Sequence, residues 1–247
     1  MPQSLPDSIR AAWGAGSRPR KGPKPGLSLQ QIVRAAIDVA SAEGLAAVSM
    51  SRVAAELGAA PMSLYRYLAA KDELLALMVD AAFQAVPAPT APGEYWRAAL
   101  SRWSREHRAV LRRYPWVLRI PIKGPPIMPN QVTWFERGLD CLREMQLSAP
   151  EKVSVLLLVN GFVRNESLLT ADLEIAASAS GSPVEPTAYG TVLSELLDPA
   201  RFPALTAVIA EGAFAGPDDP DAEFNFGLAR ILDGVEALVV ERASRAT

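Results

Sequence analysis

At 247 residues, 49% hydrophobic and 21% charged, the chain has room for one small and one larger domain that each bury a core, which excludes a disordered protein. A single cysteine, Cys141, excludes an intrachain disulfide framework and a multi-cysteine metal site, and the longest apolar run, residues 153–159, falls far short of a membrane span. The formal net charge of -2 conceals an asymmetry: residues 1–71 carry nine Lys or Arg against four Asp or Glu, leaving the remainder acidic, so only the N-terminal end suits a polyanionic partner.

No secretory signal is evident in the first residues, and the expected protein is soluble and cytoplasmic. Residues 1–26 include Pro2, Pro6, Pro19, Pro23 and Pro25 without a stable apolar period, and read as a flexible, irregular arm. Its basic run, Arg18, Arg20, Lys21 and Lys24, either enters a DNA minor groove or remains a mobile charged tail.

Three short helices leading into a fourth follow. The first spans 28–43, with Ser28 placed to cap it, Gly44 to stop it, and Ile32, Ala36 and Val39 as its buried stripe. The second spans 50–57 behind Ser49 and ends at Gly58. After Ala59 and Ala60, Pro61 supplies a pre-set first helical φ and residues 62–68 form a third. Two short helices joined by so tight a glycine turn make a helix-turn-helix, whose second helix lies in the major groove.

Leu64 and Leu68, four residues apart, bury against the first two helices and turn Met62, Ser63, Tyr65, Arg66 and Tyr67 outward. Phenol hydroxyls and a guanidinium suit phosphate oxygens and guanine edges. The alternative is ordinary helix surface with one tyrosine packed inward. Lys71 opens the fourth helix at the end where the macrodipole is positive, which is locally unfavourable unless a phosphate lies between the lysine and the helix start.

From Leu27 to Met78 these residues, AAIDVASAEGL, SMSRVAAELG and APMSLYRYLAAKDELL, resemble the DNA-binding head of the tetracycline-repressor (TetR) family of bacterial transcriptional regulators. The resemblance implies that Ser49, Ser51 and Arg52 flank the groove, that Met62, Ser63 and Arg66 face bases, and that Tyr65, Tyr67 and Lys71 hold phosphates. One departure is Ala60, where the family usually has a capping Ser, Thr or Asn. The implied fold is all-α: a helix-turn-helix head over 27–86 and a helical effector-binding and dimerisation domain over 93–243.

Helix four, 72–84, is apolar around too much of its circumference for one contact and links head to body. Pro87, Pro89, Pro92 and Gly93 mark the joint. Helix five, 94–113, places Trp96, Leu100, Trp103, His107 and Val110 on one face. His107 is either a satisfied core histidine or a ligand contact. Five prolines between 115 and 129 forbid a regular element there, and the apolar residues among them suggest a lid or rim. Helix six, 130–145, aligns Trp134, Gly138, Cys141 and Met145.

Helix seven, 149–177, has an expected core row of Val155, Leu158, Phe162 and Leu169, interrupted by Asn165 and flanked by Glu166. Polar groups among apolar neighbours need partners, from within the chain, a second subunit or a small molecule. A turn-rich break covers 178–190, short helices lie in 191–197 and 199–214, and an acidic loop covers 217–221. The last helix, 221–242, sets Leu228, Leu232, Val235 and Val239 toward its core and Gly227, Ile231, Gly234 and Leu238 toward a second helix, a pairing surface for a homodimer. Its FGLARILDGVEALV resembles the closing helix of one C-terminal subclass of the same family.

The expected protein is therefore a dimeric, ligand-responsive repressor. A small-molecule effector of unknown identity would sit among Trp103, His107, Trp134, Phe162, Asn165 and Glu166, and two heads would read a near-palindromic double-stranded operator with half-sites about 34–36 Å apart. A helix-turn-helix-derived interaction module without DNA binding is the competing reading. No glycine-rich phosphate loop or nucleophile motif supports an enzyme, and no metal or cofactor is expected.

Overall fold

The computed structural model describes residues 7–14, 27–180, 186–214, 219 and 221–245. Among the described residues the regular structure is helical throughout, in eleven α-helices and two short 3-10 helices, with no strand. The chain divides into two compact units, residues 1–157 and 158–247. The proline-rich stretch 87–93 lies within the first unit.

In the first unit, α2 (Leu29–Glu43) starts at a complete capping box. The Gln31 amide donates to Ser28 Oγ at 3.2 Å, and the Ser28 amide donates to Gln31 Oε1 at 2.8 Å. Ile32, Ala36 and Val39 are buried as expected, and Gly44 ends the helix at φ 84°. After a 3-10 turn (Leu45–Ala47), Ser49 caps α3 (Met50–Glu56). Gly58 turns the chain at φ 62° into α4 (Pro61–Leu64).

The regular part of α4 is shorter than the 62–68 expected. Beyond Leu64 the chain tightens into a turn, with the Tyr67 and Leu68 amides both donating to the Leu64 carbonyl. α5 (Lys71–Ala82) follows, with Leu74 and Met78 fully buried.

α6 (Trp96–Arg113) leads into a 3-10 helix (Pro115–Arg119) in the proline-rich stretch that was expected to hold no regular element. A five-residue 3-10 turn tolerates Pro115 at its first position, and the burial of Trp116 and Val117 holds it. The Trp116 indole donates to Ser41 Oγ on α2 at 3.2 Å, so this stretch packs on the head. α7 (Pro129–Asp140) buries Trp134 and Gly138. A Cβ on Gly138 would stand 2.5 Å from Leu156 Cδ1 and 3.2 Å from Trp103, so the glycine admits close neighbours.

The irregular N-terminal arm is overturned over Asp7–Ala12, which form α1. Six residues cannot sustain a helix in water alone. Here Trp13 anchors it by donating its indole N–H to the Ile127 carbonyl at 2.8 Å, 114 residues away, and α1 packs on α5. Arg18, Arg20, Lys21 and Lys24 lie outside the described residues.

The division between the units falls within α8 (Ala149–Ser180). The expected core row of this helix is corrected: Leu158 and Leu169 are 55% and 58% exposed and Asn165 is exposed, while Val155, Val159, Val163, Ser167 and Ala171 are buried. The helix is apolar on several faces, so spacing alone picks no single one.

In the second unit, α9 (Pro186–Leu196) and α10 (Pro203–Ala210) are in contact, and Phe214 meets Tyr189 edge to face and closes over Gly190. The acidic stretch 217–221 is largely outside the described residues. α11 (Ala222–Arg245) buries Phe224, Leu228, Leu232 and Val235.

Candidate nucleic-acid interface

The burial of Leu64 and Leu68, at 0% and 1% exposure, decides which side of the turn faces out. Met62 is 73% exposed and Tyr65 47%, Arg66 and Lys71 are exposed, and Ser63 is half-buried. Among the described residues Arg66 and Lys71 have no ion-pair partner, so both cations remain available to an anion. The caps at Ala60 and Ala70 contribute no side-chain hydrogen bond. At the start of α5, Glu73 reaches back to accept from the Ala69 amide at 3.0 Å, and Asp72 accepts from Lys123 Nζ at 2.6 Å.

Two members of the expected set are engaged elsewhere. Tyr67 is the tyrosine that packs inward: its hydroxyl donates to the Leu27 carbonyl at 2.7 Å. A phosphate oxygen accepts only, and this phenol has already used its one proton. Arg52 is clasped by two carboxylates, with Nε 3.1 Å from Glu43 Oε1 and Nη1 2.8 Å from Glu56 Oε2. The pairing holds the Glu43 carboxyl below the usual carboxylate range, chiefly through its hydrogen bond from Arg52, and raises the guanidinium's own proton affinity. Ser49 keeps its oxygen on the Arg52 amide at 3.1 Å as the α3 cap, and Ser51 is exposed. Arg52→Gln is therefore expected to leave the salt dependence of DNA binding unchanged, since a cation held by two carboxylates releases no counterion of DNA. A salt-titrated gel shift that showed a shallower slope for this variant would contradict the assignment.

Of the expected effector residues, three converge in the first unit. Ring centroids of Trp103 and His107 are 5.0 Å apart, those of His107 and Trp134 5.5 Å, and Phe83 joins at 5.3 Å from His107. The Trp103 indole donates to the Trp134 carbonyl at 3.1 Å, and the Trp134 indole donates to the Phe83 carbonyl at 2.8 Å. The rings form a buried stack whose indole donors are both satisfied within it.

The other three belong to the second unit and do something else there. Phe162 stacks on Phe224 at 5.6 Å and covers Gly227, where a Cβ would come within 2.5 Å of the ring. Asn165 faces outward, and Glu166 accepts a long hydrogen bond from Thr170 Oγ1 at 3.5 Å. Gly227 is correspondingly not a bare pairing surface: it makes room for Phe162 of its own chain. Gly234 is exposed with nothing within 4 Å, and Ile231 and Leu238 are half-buried.

Several residues with a role escaped the sequence reading. Asp80 on α5 is 5% exposed and accepts from the start of α7, and burial pushes its carboxyl up against the downward pull of those hydrogen bonds. Asp140 accepts from the Thr90 amide at 2.9 Å. Lys123 was one cation in a proline-rich loop, with no local pattern pointing to Asp72. Cys141 is buried, its thiol donating to the Arg137 carbonyl at 3.2 Å, and burial pushes its pKa up. Among the described residues no cluster of His, Cys, Asp or Glu could hold a metal, and no helix is long and apolar enough to cross a membrane.

A capped helix-turn-helix with an outward-facing cationic and aromatic edge, joined to a larger helical body, defines a DNA-binding regulatory protein. Residues 32–78 match the family described as bacterial regulatory proteins, tetR family, and residues 88–239 match the tetracyclin repressor-like C-terminal domain. The HTH-type transcriptional repressor DrrR1 of Streptomyces coeruleorubidus is 40% identical over 239 residues, covering 95% of this chain and 87% of that protein. Apo ActR from Streptomyces coelicolor superposes with a TM-score of 0.74 at 27% identity, covering 91% of this chain and all of that one. The actinorhodin complex of ActR gives 0.73 at 28% identity, covering 88% and 98%. The chain belongs to the TetR family of bacterial transcriptional regulators.

Proposed function

We propose that the protein is a repressor that grips a near-palindromic operator as a homodimer and is released from it by a small molecule. It acts in the cytoplasm through a head over 27–86 and an effector and pairing body over 93–243. The observation that carries this reading is the exposed edge formed by Met62, Tyr65, Arg66 and Lys71, two of them cations with no ion-pair partner among the described residues. Met62, Ser63 and Arg66 face bases, while Tyr65 and Lys71 hold phosphates.

Relatives support the remaining parts. DrrR1 is named a repressor, and ActR is crystallised with actinorhodin and with (S)-DNPA. The outward row of α8, with Leu157, Leu158, Leu169 and Leu173 each 49–59% exposed, is more apolar than a solvated helix face requires and serves subunit pairing together with Gly234, Ile231 and Leu238 of α11. The effector acts on the Trp103, His107 and Trp134 stack, because a ligand that separates these rings also moves the Phe83 carbonyl bonded to Trp134 at the end of α5.

A gel shift with DNA from upstream of the protein's own gene tests the reading, repeated with a small-molecule panel that includes actinorhodin. Operator binding at nanomolar to submicromolar protein, relieved by a panel member, is the expected result. His107→Gln should leave operator affinity intact and raise the concentration of that compound needed for half-release by about fivefold or more. A wild-type protein that retards no duplex would mark the helix-turn-helix as an interaction module.

A further inference from the structure

α7 begins without a cap of its own. Met128 stands at its N-cap position with no side-chain hydrogen bond, and Pro129 is the first helical residue, so the Asn130 and Gln131 amides point out of the helix start. Asp80, 50 residues earlier on α5, supplies what is missing: its Oδ1 accepts from the Asn130 amide at 2.9 Å and the Gln131 amide at 3.0 Å. Asn130 closes the junction from the other side, its Nδ2 donating to Asp80 Oδ2 at 3.0 Å and to the Asp80 carbonyl at 3.1 Å.

The carboxylate is 5% exposed and faces no cation among the described residues. Its compensation is the helix start itself, where backbone amides and the positive end of the dipole favour an anion. One turn further along α7, the Trp134 indole donates to the Phe83 carbonyl at 2.8 Å. The second half of α5 is thereby bolted to the first two turns of α7 through directional bonds, in addition to apolar packing that would permit sliding. Lys71, at the opposite end of α5, lies about 14 Å along the same helix axis.

Resting on the DNA-binding reading above, we infer that Asp80 is a positioning residue: by capping α7 from α5 it sets the angle at which the recognition head is held, and with it the half-site spacing that a dimer accepts. The consequence is specific, because a loosened junction relaxes geometry without touching any group that meets DNA. One base pair added or removed between half-sites displaces them by about 3.4 Å and rotates them by about 34°. A rigidly held pair of heads must discriminate against that change, whereas a hinged pair can follow it.

The experiment begins by selecting an operator from random duplexes with the full-length wild-type protein. Affinities are then measured for that operator, for versions with one central base pair inserted or deleted, and for an isolated half-site. Wild type is expected to prefer the native spacing by about tenfold or more, a modest fraction of a typical specificity ratio. Asp80→Ala should reduce this preference to about threefold or less with half-site affinity unchanged, and Asp80→Asn, which keeps an acceptor oxygen for the two amides but sets its own amide nitrogen against the Asn130 Nδ2 donor, should restore part of it. Asn130→Ala removes the reciprocal bonds while leaving the carboxylate in place, and should give an intermediate preference even if Asp80→Ala fails to fold. An undiminished spacing preference in Asp80→Ala, or in Asn130→Ala where the former is unfolded, overturns the inference, as does a uniform loss on all duplexes including the half-site. If wild type selects no duplex, the DNA-binding reading fails first and carries this inference with it.

Discussion

Leu64→Ala is expected to destabilise the head by about 2–5 kcal/mol, the range for deleting a fully buried leucine where the surroundings cannot close the gap. The site is poorly able to relax. Leu64 belongs to a four-residue helix, and the turn after it depends on the Leu64 carbonyl accepting from two following amides. Its side chain is also the lever that sets the outward angle of Met62, Tyr65 and Arg66. Urea unfolding followed by tyrosine fluorescence or circular dichroism, beside a gel shift, should show operator binding and stability falling together. Met62→Ala, at a position 73% exposed, provides the contrast and should change stability by no more than about 0.5 kcal/mol. Equal stability in the two variants would mean that α4 is not anchored as described.

The head was legible because its signals are local. Ser28 with Gln31, Ser49 with Arg52, Gly44, Gly58 and the Leu64–Leu68 pair all act within four residues of their partners or at a single backbone position. The engagement of the Tyr67 hydroxyl was not legible because the carbonyl that takes its proton lies 40 residues away. The pairing of Arg52 was hidden for a related reason: Glu56 is a local neighbour, but Glu43 joins only when α2 and α3 pack. The body was less legible still. α8 offers several apolar rows, and only the folded chain shows that Val159 and Val163 are buried while Leu158 and Leu169 are not. Asp80 escaped notice because its partner helix lies 50 residues on and starts with a proline that gives no hint of needing a cap from elsewhere.

The same distinction applies to the aromatic stack, of which Trp103, His107 and Trp134 were expected together and Phe83 was not. Trp103 and His107 are four residues apart on α6, so their shared face follows from helix geometry. Trp134 and Phe83 arrive through tertiary packing, and the hydrogen bond between them makes the stack continuous with the end of α5. A core histidine and an effector-responsive histidine are thus compatible descriptions of His107. Burial among three rings makes the residue structural, and its position beside the helix that carries Lys71 makes displacement consequential.

Arg66→Ala and Lys71→Ala are expected to weaken operator binding in distinguishable ways. A guanidinium reading a base edge contributes discrimination of about 1–3 kcal/mol, so Arg66→Ala should lower specific affinity by about 5- to 150-fold and flatten sequence preference at one operator position, leaving non-specific binding closer to wild type. Lys71 sits at the start of α5, whose N-cap residue Ala70 provides no side-chain acceptor, and an exposed lysine there adds charge to a helix end already suited to phosphate. Lys71→Ala should reduce affinity for all duplexes by similar factors and make the dependence of log affinity on log salt shallower by about one unit. Both variants should unfold at wild-type denaturant concentrations, because neither side chain has an ion-pair partner among the described residues. Selection from randomised operators with each variant, alongside salt titrations on a matched and a scrambled duplex, separates the two roles. If the arginine variant lost affinity uniformly and the lysine variant changed sequence preference, the base and phosphate assignments would have to be exchanged, and the recognition segment would lie in the groove at a different rotation about its own axis.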